Sequence, residues 1–408
     1  MIEYYDFALY GYLAVVIAPI FFPGSDPTAA LLSTLAVFAL AYVIRPLGGI
    51  AFGHIGDRFG RRTALLVTVV GIGLANTAVG LLPTFAAAGV AAPLLLVLVR
   101  CAQGFFAGGE VGGAATIISE AAPAGRKGKW SAFTPMGTNA GFAVASAVAG
   151  LVAFAVGDQQ MSTWGWRIPF LLGLPLTIVC FLARRSVPVE EPVAGAHKHA
   201  GVPILQVIRK YPRALLKGIG IGIAVQGGAY ISLTYITIYL VNNLHYGKQP
   251  VYWLTTAVTV FAVALMPFTG RLTDRIGALP VAVIGIAGYA VLVFPALVLM
   301  GLGSFGLVVV GYLMLMVPIA FLQVASYTLS PLLFDASVRY TGMALATNIS
   351  VVVAGGSAPY VATWLVRITG NLLSPAWFVF ATCLIGIITI LTLRRDPNLH
   401  RRIETVHP

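Results

Sequence analysis

The sequence predicts an all-α integral membrane protein whose twelve transmembrane helices form two six-helix halves. Composition is the first observation. Of 408 residues, 59% are hydrophobic and only 9% charged, and the mean hydropathy is +0.91. A soluble domain carries about 25% charged residues, so a water-soluble globular enzyme is excluded, and the same balance excludes disorder. The second observation is a series of apolar runs, each near the roughly 20 residues that cross a bilayer. The third is a stretch that recurs. Gly53-His-Ile-Gly-Asp57-Arg58-Phe-Gly60 returns as Gly270-Arg-Leu-Thr-Asp274-Arg275-Ile-Gly277, each copy following the second span of its half.

In chain order the spans fall near 4–22, 29–53, 63–82, 91–119, 130–155, 166–184, 213–241, 251–270, 279–300, 304–333, 340–366 and 373–393. The longest break, 185–212, holds Pro188, Glu190, Glu191, Pro192, His197, Lys198 and His199. The expected organisation is therefore 1–184 as the amino-terminal half and 185–212 as a central loop. Residues 213–394 form the carboxy-terminal half and 395–408 a tail. The first apolar run leads straight into further spans, so no cleavable signal peptide is expected. Duplicated halves place a substrate path at their interface near the bilayer midplane.

Charge sets the orientation. Most of the 25 Lys and Arg residues, Arg58, Arg61, Arg62, Arg126, Lys127, Lys129, Arg394 and Arg395 among them, fall in the even-numbered gaps and the tail. The opposite side holds Arg167, Lys248 and Arg367. By the positive-inside rule both termini are cytoplasmic, and the net charge of +12 is topological rather than a nucleic-acid footprint. Cys101, Cys180 and Cys383 lie in apolar runs with no disulfide or zinc pattern, and the histidines lack metal-ligand spacing. Gly108-Gly-Glu-Val-Gly-Gly113 lies in a span without a phosphate-loop lysine. No metal, nucleotide or cofactor is expected, and no nucleophile–base constellation marks an enzyme.

The charges deep in the spans are Asp6, Arg45, Arg100 and Glu110. Each costs roughly 2.5–3.5 kcal/mol at mid-membrane, so they must pair, meet water or be protonated. On the fourth span Arg100, Gln103 and Glu110 share one side of a helix. Gly104, Gly108 and Gly112 form a neighbouring strip of small residues for close packing. This is the pattern of a cavity-lining helix. Glu110 and Asp6 are the candidate proton carriers, with Glu110 favoured over Asp6, which could be interfacial; Glu110 could instead be fixed in an ion pair with Arg45. Arg100 either anchors a carboxylate or counters the acid. In the seventh span Gln226, Tyr230, Thr234 and Thr237 recur at helical spacing, either orienting a small polar solute or simply packing. Tyr5, Asn139, Gln323 and Asn348 are weaker candidates of the same kind.

The loop Gly53 through Arg62 (GHIGDRFGRR) resembles the signature between the second and third helices of the major facilitator superfamily. Glu3-Tyr-Tyr-Asp6-Phe7, Arg45-Pro-Leu-Gly-Gly49, Arg100-Cys-Ala-Gln103-Gly104 and Gly165-Trp-Arg-Ile-Pro-Phe170 resemble its metabolite:proton symporter family. That likeness implies a proton-driven importer of a small metabolite working by alternating access in a bacterial cytoplasmic membrane, as a monomer. Arg45 and Arg100 point to a carboxylate as its solute. Two alternatives stay open: a zwitterion such as a betaine, or proton-coupled export. Drug exporters of the superfamily carry Gly-Pro in the fifth span, whereas Gly141 here precedes Phe142.

The same resemblance implies a gate. Gly53 and Gly60 are expected to allow tight turns and close helix approach, and Asp57 to accept from backbone N–H groups at a helix start. Arg58, Arg61 and Arg62 are expected to pair with Glu120, Asp274 or Asp335. Weaker echoes place Arg126 after Glu120 and Arg339 after Asp335. The second copy, around Asp274 and Arg275, has Ala278 and Leu279 in place of Arg61 and Arg62. A weaker second latch is therefore expected.

Overall fold

The computed structural model describes residues 2–109, 118, 121–123, 125–186, 203–335 and 338–395. Each of the predicted spans coincides with helix over its described residues, the fourth over Ala91–Gly108. Ten helices, from Pro27–Ile55 to Ser374–Arg394, are long and apolar enough to cross a membrane. A bent pair, Glu3–Tyr12 and Ala14–Phe21, occupies the first span, and a shorter apolar helix, Arg167–Ala183, the sixth. Large apolar side chains such as Leu81, Phe154 and Val291 stand exposed, as a hydrocarbon solvent requires.

The first span turns by 67° at Leu13, two residues after Gly11, whose missing Cβ loosens the backbone there. The second span starts on a side-chain cap. The Asp26 carboxylate accepts from the amides of Thr28 at 2.9 Å and Ala29 at 3.2 Å, and Pro27 supplies the fixed φ of a first helical turn. The helix then runs to Phe59, so the stretch from Gly53 to Phe59, expected as a loop, is helical. Only Gly60, at φ 91°, makes the turn. Gly53 has nothing within 4 Å of where a Cβ would stand, which corrects the expectation that it serves close approach. The second copy behaves alike up to Gly277, at φ 88°, but there Gly270 does pack, its would-be Cβ 2.8 Å from the Gly128 carbonyl oxygen.

The seventh span departs from a plain α-helix. It is α-helical over Pro212–Tyr230, then π-helical over Ile231–Tyr235 and Tyr239–Asn243. A π-turn takes one residue more than an α-turn, so later side chains swing about 100° from the α-helical wheel. Thr234 and Thr237 therefore leave the face that carries Gln226 and Tyr230, which corrects the single polar stripe. At the junction the Tyr289 hydroxyl donates to the Gly228 carbonyl at 3.0 Å and accepts from Ser232 at 2.6 Å.

Contacts divide the chain into two compact units. One comprises Met1–Val111, Gly141–Ala200 and Thr237–Thr256; the other Gly112–Ala140, Gly201–Ile236 and Ala257–Pro408. In the first unit the second and fourth spans touch backbone to backbone. A Cβ on Gly48 would stand 1.7 Å from the Phe105 carbonyl oxygen, and one on Gly104 would stand 2.0 Å from that of Ala41. Gly108 meets the Arg45 carbonyl in the same way, so Gly104 and Gly108 of the strip read from the sequence form a packing seam, while Gly112 lies outside the described residues. Replacing Gly104 by valine is expected to cost about 1–3 kcal/mol through overpacking. A lower thermal-unfolding midpoint in detergent checks it; an unchanged midpoint refutes the seam.

Candidate functional site

The first unit gathers the charges. Glu3, Asp6, Arg45 and Arg100 are the buried charged side chains among the described residues, each 5% exposed or less. The Glu3 carboxylate forms an ion pair with the Arg45 guanidinium, so Arg45, expected to meet solute, is committed to a protein acid. Sequence reading passed over Glu3 because it lies at the very edge of the first apolar run. Its signal was present, however, since it shares one short stretch with Asp6. Together two acids and two arginines carry no net charge, which is how burial of such a set avoids the penalty of an uncompensated ion.

Arg100 is fully buried. It donates from Nη1 to the side-chain oxygen of Gln103 one turn along the same helix. Its Nε and Nη2 have no hydrogen-bond partner among the described residues, nor has the Gln103 amide nitrogen. Unmade bonds on a buried guanidinium are costly, and they leave a donor fork suited to a carboxylate. Asp6, 1% exposed, is among the groups whose charge acts on Arg100. The guanidinium carbon lies 4.1 Å from the ring centre of Tyr10 and 5.0 Å from that of Phe7. Tyr5 is spent structurally, its hydroxyl donating to the Pro169 carbonyl at 2.7 Å. Glu110 and Glu120 lie outside the described residues.

In the second unit two separately predicted amides meet. The Asn139 side-chain nitrogen donates to the Gln323 oxygen at 3.0 Å, while Asn139 Oδ1 is buried without a hydrogen bond. The Tyr327 hydroxyl, one turn after Gln323, bonds Thr138, one residue before Asn139. Gln226 lines a cavity of about 30 Å³ with Ser326, Tyr327, Ser330 and Thr347. That is room for water-sized occupants, not an organic solute. The Tyr230 ring covers Gly355, 3.1 Å from where a Cβ would stand. Asn348 is half-buried.

The gate residues divide as well. The side chains of Asp57 and Arg61 lie outside the described residues. Arg58 is exposed and stacks over Phe59, and Arg62 donates to the Arg185 carbonyl. Arg126 and Arg275 are exposed, and Arg339 donates from Nε to the Pro331 carbonyl at 3.0 Å. Asp335 is half-buried. Asp274 does what was expected of Asp57. Its carboxylate accepts from the backbone amides of Gly128 at 2.6 Å and Lys129 at 3.0 Å, at the start of the helical stretch that leads into the fifth span. Carboxylate charge at a helix start is favourable. The contacts of this copy are made to backbone donors and alongside the close Gly128–Gly270 approach.

Comparison with known proteins gives the same architecture a lineage. The family model described as Major Facilitator Superfamily matches residues 4–252 and 219–407. The Proline/betaine transporter of Escherichia coli (strain K12) is 36% identical, over 97% of this chain and 81% of that protein. The Glycine betaine/proline/ectoine/pipecolic acid transporter OusA of Dickeya dadantii (strain 3937) is 35% identical over the same shares. Among solved structures, a D-xylose-proton symporter superposes with a TM-score of 0.72 at 19% identity, covering 98% of this chain and 97% of that one; it shares the fold. With its series of long apolar helices, a recurring Asp-Arg stretch and these relatives, the chain belongs to the Major Facilitator Superfamily and is a multi-pass membrane transporter rather than an enzyme.

Proposed function

We propose that the chain is a proton-coupled importer of zwitterionic compatible solutes of the betaine and proline type. The observation that carries this is Arg100, a fully buried guanidinium whose Nε and Nη2 have no hydrogen-bond partner among the described residues, set in a group of buried charges that, among those residues, sums to zero. One donor fork takes one carboxylate. A di- or tricarboxylate calls for surplus positive charge, and Arg45 is neutralised by Glu3. A solute that is itself neutral overall, with a carboxylate at one end and an ammonium at the other, matches that balance. The names of the relatives from Escherichia coli and Dickeya dadantii support the same reading, and the zwitterion replaces the carboxylate expected from the two arginines. Protons drive uptake in this reading, with Asp6 and Glu110 as the groups that carry them. Positive-inside charge supports a topology with both termini in the cytoplasm of a bacterial cell.

Two measurements test it. A ligand that binds the folded state alone raises its stability, by about 2.7 kcal/mol at a hundred times its dissociation constant. Glycine betaine or proline is expected to raise the unfolding midpoint of the purified protein, with succinate and citrate inert. Stabilisation by the di- and tricarboxylates alone overturns the substrate assignment. In proteoliposomes an inward proton gradient is expected to accelerate betaine uptake; indifference to the gradient removes the coupling.

A further inference from the structure

Three aromatic rings face the Arg100 guanidinium in the first unit, those of Phe7, Tyr10 and Phe38, and a fourth, Tyr42, packs against two of them. Phe7 and Tyr10 come from the first span, Phe38 and Tyr42 from the second. Tyr10 and Phe38 stack at 6.2 Å with their planes 10° apart. Phe7 leans on Tyr42 at 4.6 Å, and Phe38 meets Tyr42 edge-on at 5.3 Å. The Tyr10 hydroxyl donates to the Thr34 carbonyl at 3.1 Å, which fixes its ring. All four side chains are 1% exposed or less. Into this box Arg100 inserts its charge, at 4.1 Å from Tyr10, 5.0 Å from Phe7 and 5.8 Å from Phe38. Arg45 lies over Phe7 and Tyr42 at 5.3 and 5.4 Å.

We infer that this box is the ammonium-binding subsite, held in this structure by the protein's own Arg100. The inference rests on the zwitterion reading above and assigns the other end of the solute. Ring faces attract a cation through their quadrupole, most strongly where water is excluded, and quaternary ammonium groups are the ligands such cages suit. A guanidinium and a trimethylammonium group each carry four non-hydrogen atoms and one delocalised or shielded positive charge; the second is rounder and bulkier, so the exchange requires the rings to part slightly. Arg100 is held there by rings and one bond to Gln103, with two of its nitrogens unbonded. A carboxylate offers those nitrogens a better partner. In a betaine the ammonium is next to the carboxylate, so drawing the guanidinium onto the carboxylate delivers the ammonium to the vacated rings. Empty, the box stays filled and the buried rings stay dry; loaded, one cation has replaced another at no net change of charge.

The test compares glycine betaine with 3,3-dimethylbutanoate, the carboxylate of the same shape whose quaternary carbon carries no charge. Binding to the purified full chain is measured by calorimetry. Wild type is expected to prefer glycine betaine by at least about tenfold. Tyr10→Leu and Phe38→Leu are each expected to erase most of that preference, whereas Tyr10→Phe, which keeps the ring, retains it. Folding of each variant is checked by its unfolding midpoint, and two separate leucine variants guard against one failing to fold. Leucine variants that weaken both ligands equally would show rings that only pack, and would overturn the box. If wild type binds proline but does not distinguish betaine from its uncharged analogue, the box falls while the solute reading stands. If it binds neither zwitterion, both fall.

Discussion

Arg100→Lys is expected to reduce glycine betaine uptake by about a hundredfold, the largest loss from any single substitution considered. Hydrogen bonds to a charged partner contribute about 1.5–3 kcal/mol each, and lysine loses the two-pronged geometry that lets guanidinium hold a carboxylate with parallel bonds. It also loses the flat, weakly hydrated surface that lies 4.1 Å from the Tyr10 ring. Lysine keeps the positive charge, so the neutral balance with Glu3, Asp6 and Arg45 persists. The substitution therefore separates shape from charge. Uptake and calorimetric binding should fall together, because the lost contacts are made to the solute itself. Full betaine affinity in Arg100→Lys would show that the carboxylate is bound elsewhere.

Asp274→Asn is expected to leave betaine binding nearly intact and to lower the maximal uptake rate by about tenfold. The carboxylate takes amide hydrogens from Gly128 and Lys129 at 2.6 and 3.0 Å. Neutralising it keeps one acceptor but removes the charge that makes bonds at a helix start strong. A loss of about 1.4 kcal/mol moves a two-state balance tenfold, and a transporter passing repeatedly between two states is sensitive to that balance. Initial uptake rates against solute concentration give the answer. An unchanged maximal rate would show the latch to be ornamental; a raised Michaelis constant alone would place Asp274 in solute binding.

Much of the fold was legible without coordinates. Apolar runs located the spans, most of them to within a few residues, because hydrocarbon rejects polar backbone and side chains along the whole crossing. The close-packing strip was visible because Gly104 and Gly108 recur at one helical turn. Arg100 with Gln103 was visible for the same reason. Glu3 with Arg45 was not, since the two sit on different spans and Glu3 falls where the apolar run begins. Asn139 and Gln323 were each singled out, yet nothing in either neighbourhood indicates that they bond to one another. The aromatic box escaped because Phe7, Tyr10, Phe38 and Tyr42 look like any apolar residues in a span. The polar face of the seventh span was misplaced past Ile231, where the backbone leaves α-helical spacing and periodic arithmetic fails.

Amino-acid order alone determined that this chain crosses a bilayer many times and which rare charges it carries into the oil. Those properties follow from transfer free energies summed residue by residue along a local stretch. Tertiary structure decided which charge faces which: Glu3 against Arg45, Asp274 against two amides, Arg100 among three rings. Electrostatic energy depends on the distance between groups. Between helices remote in sequence that distance is set by how closely their backbones pack, as at Gly48, Gly104 and Gly270.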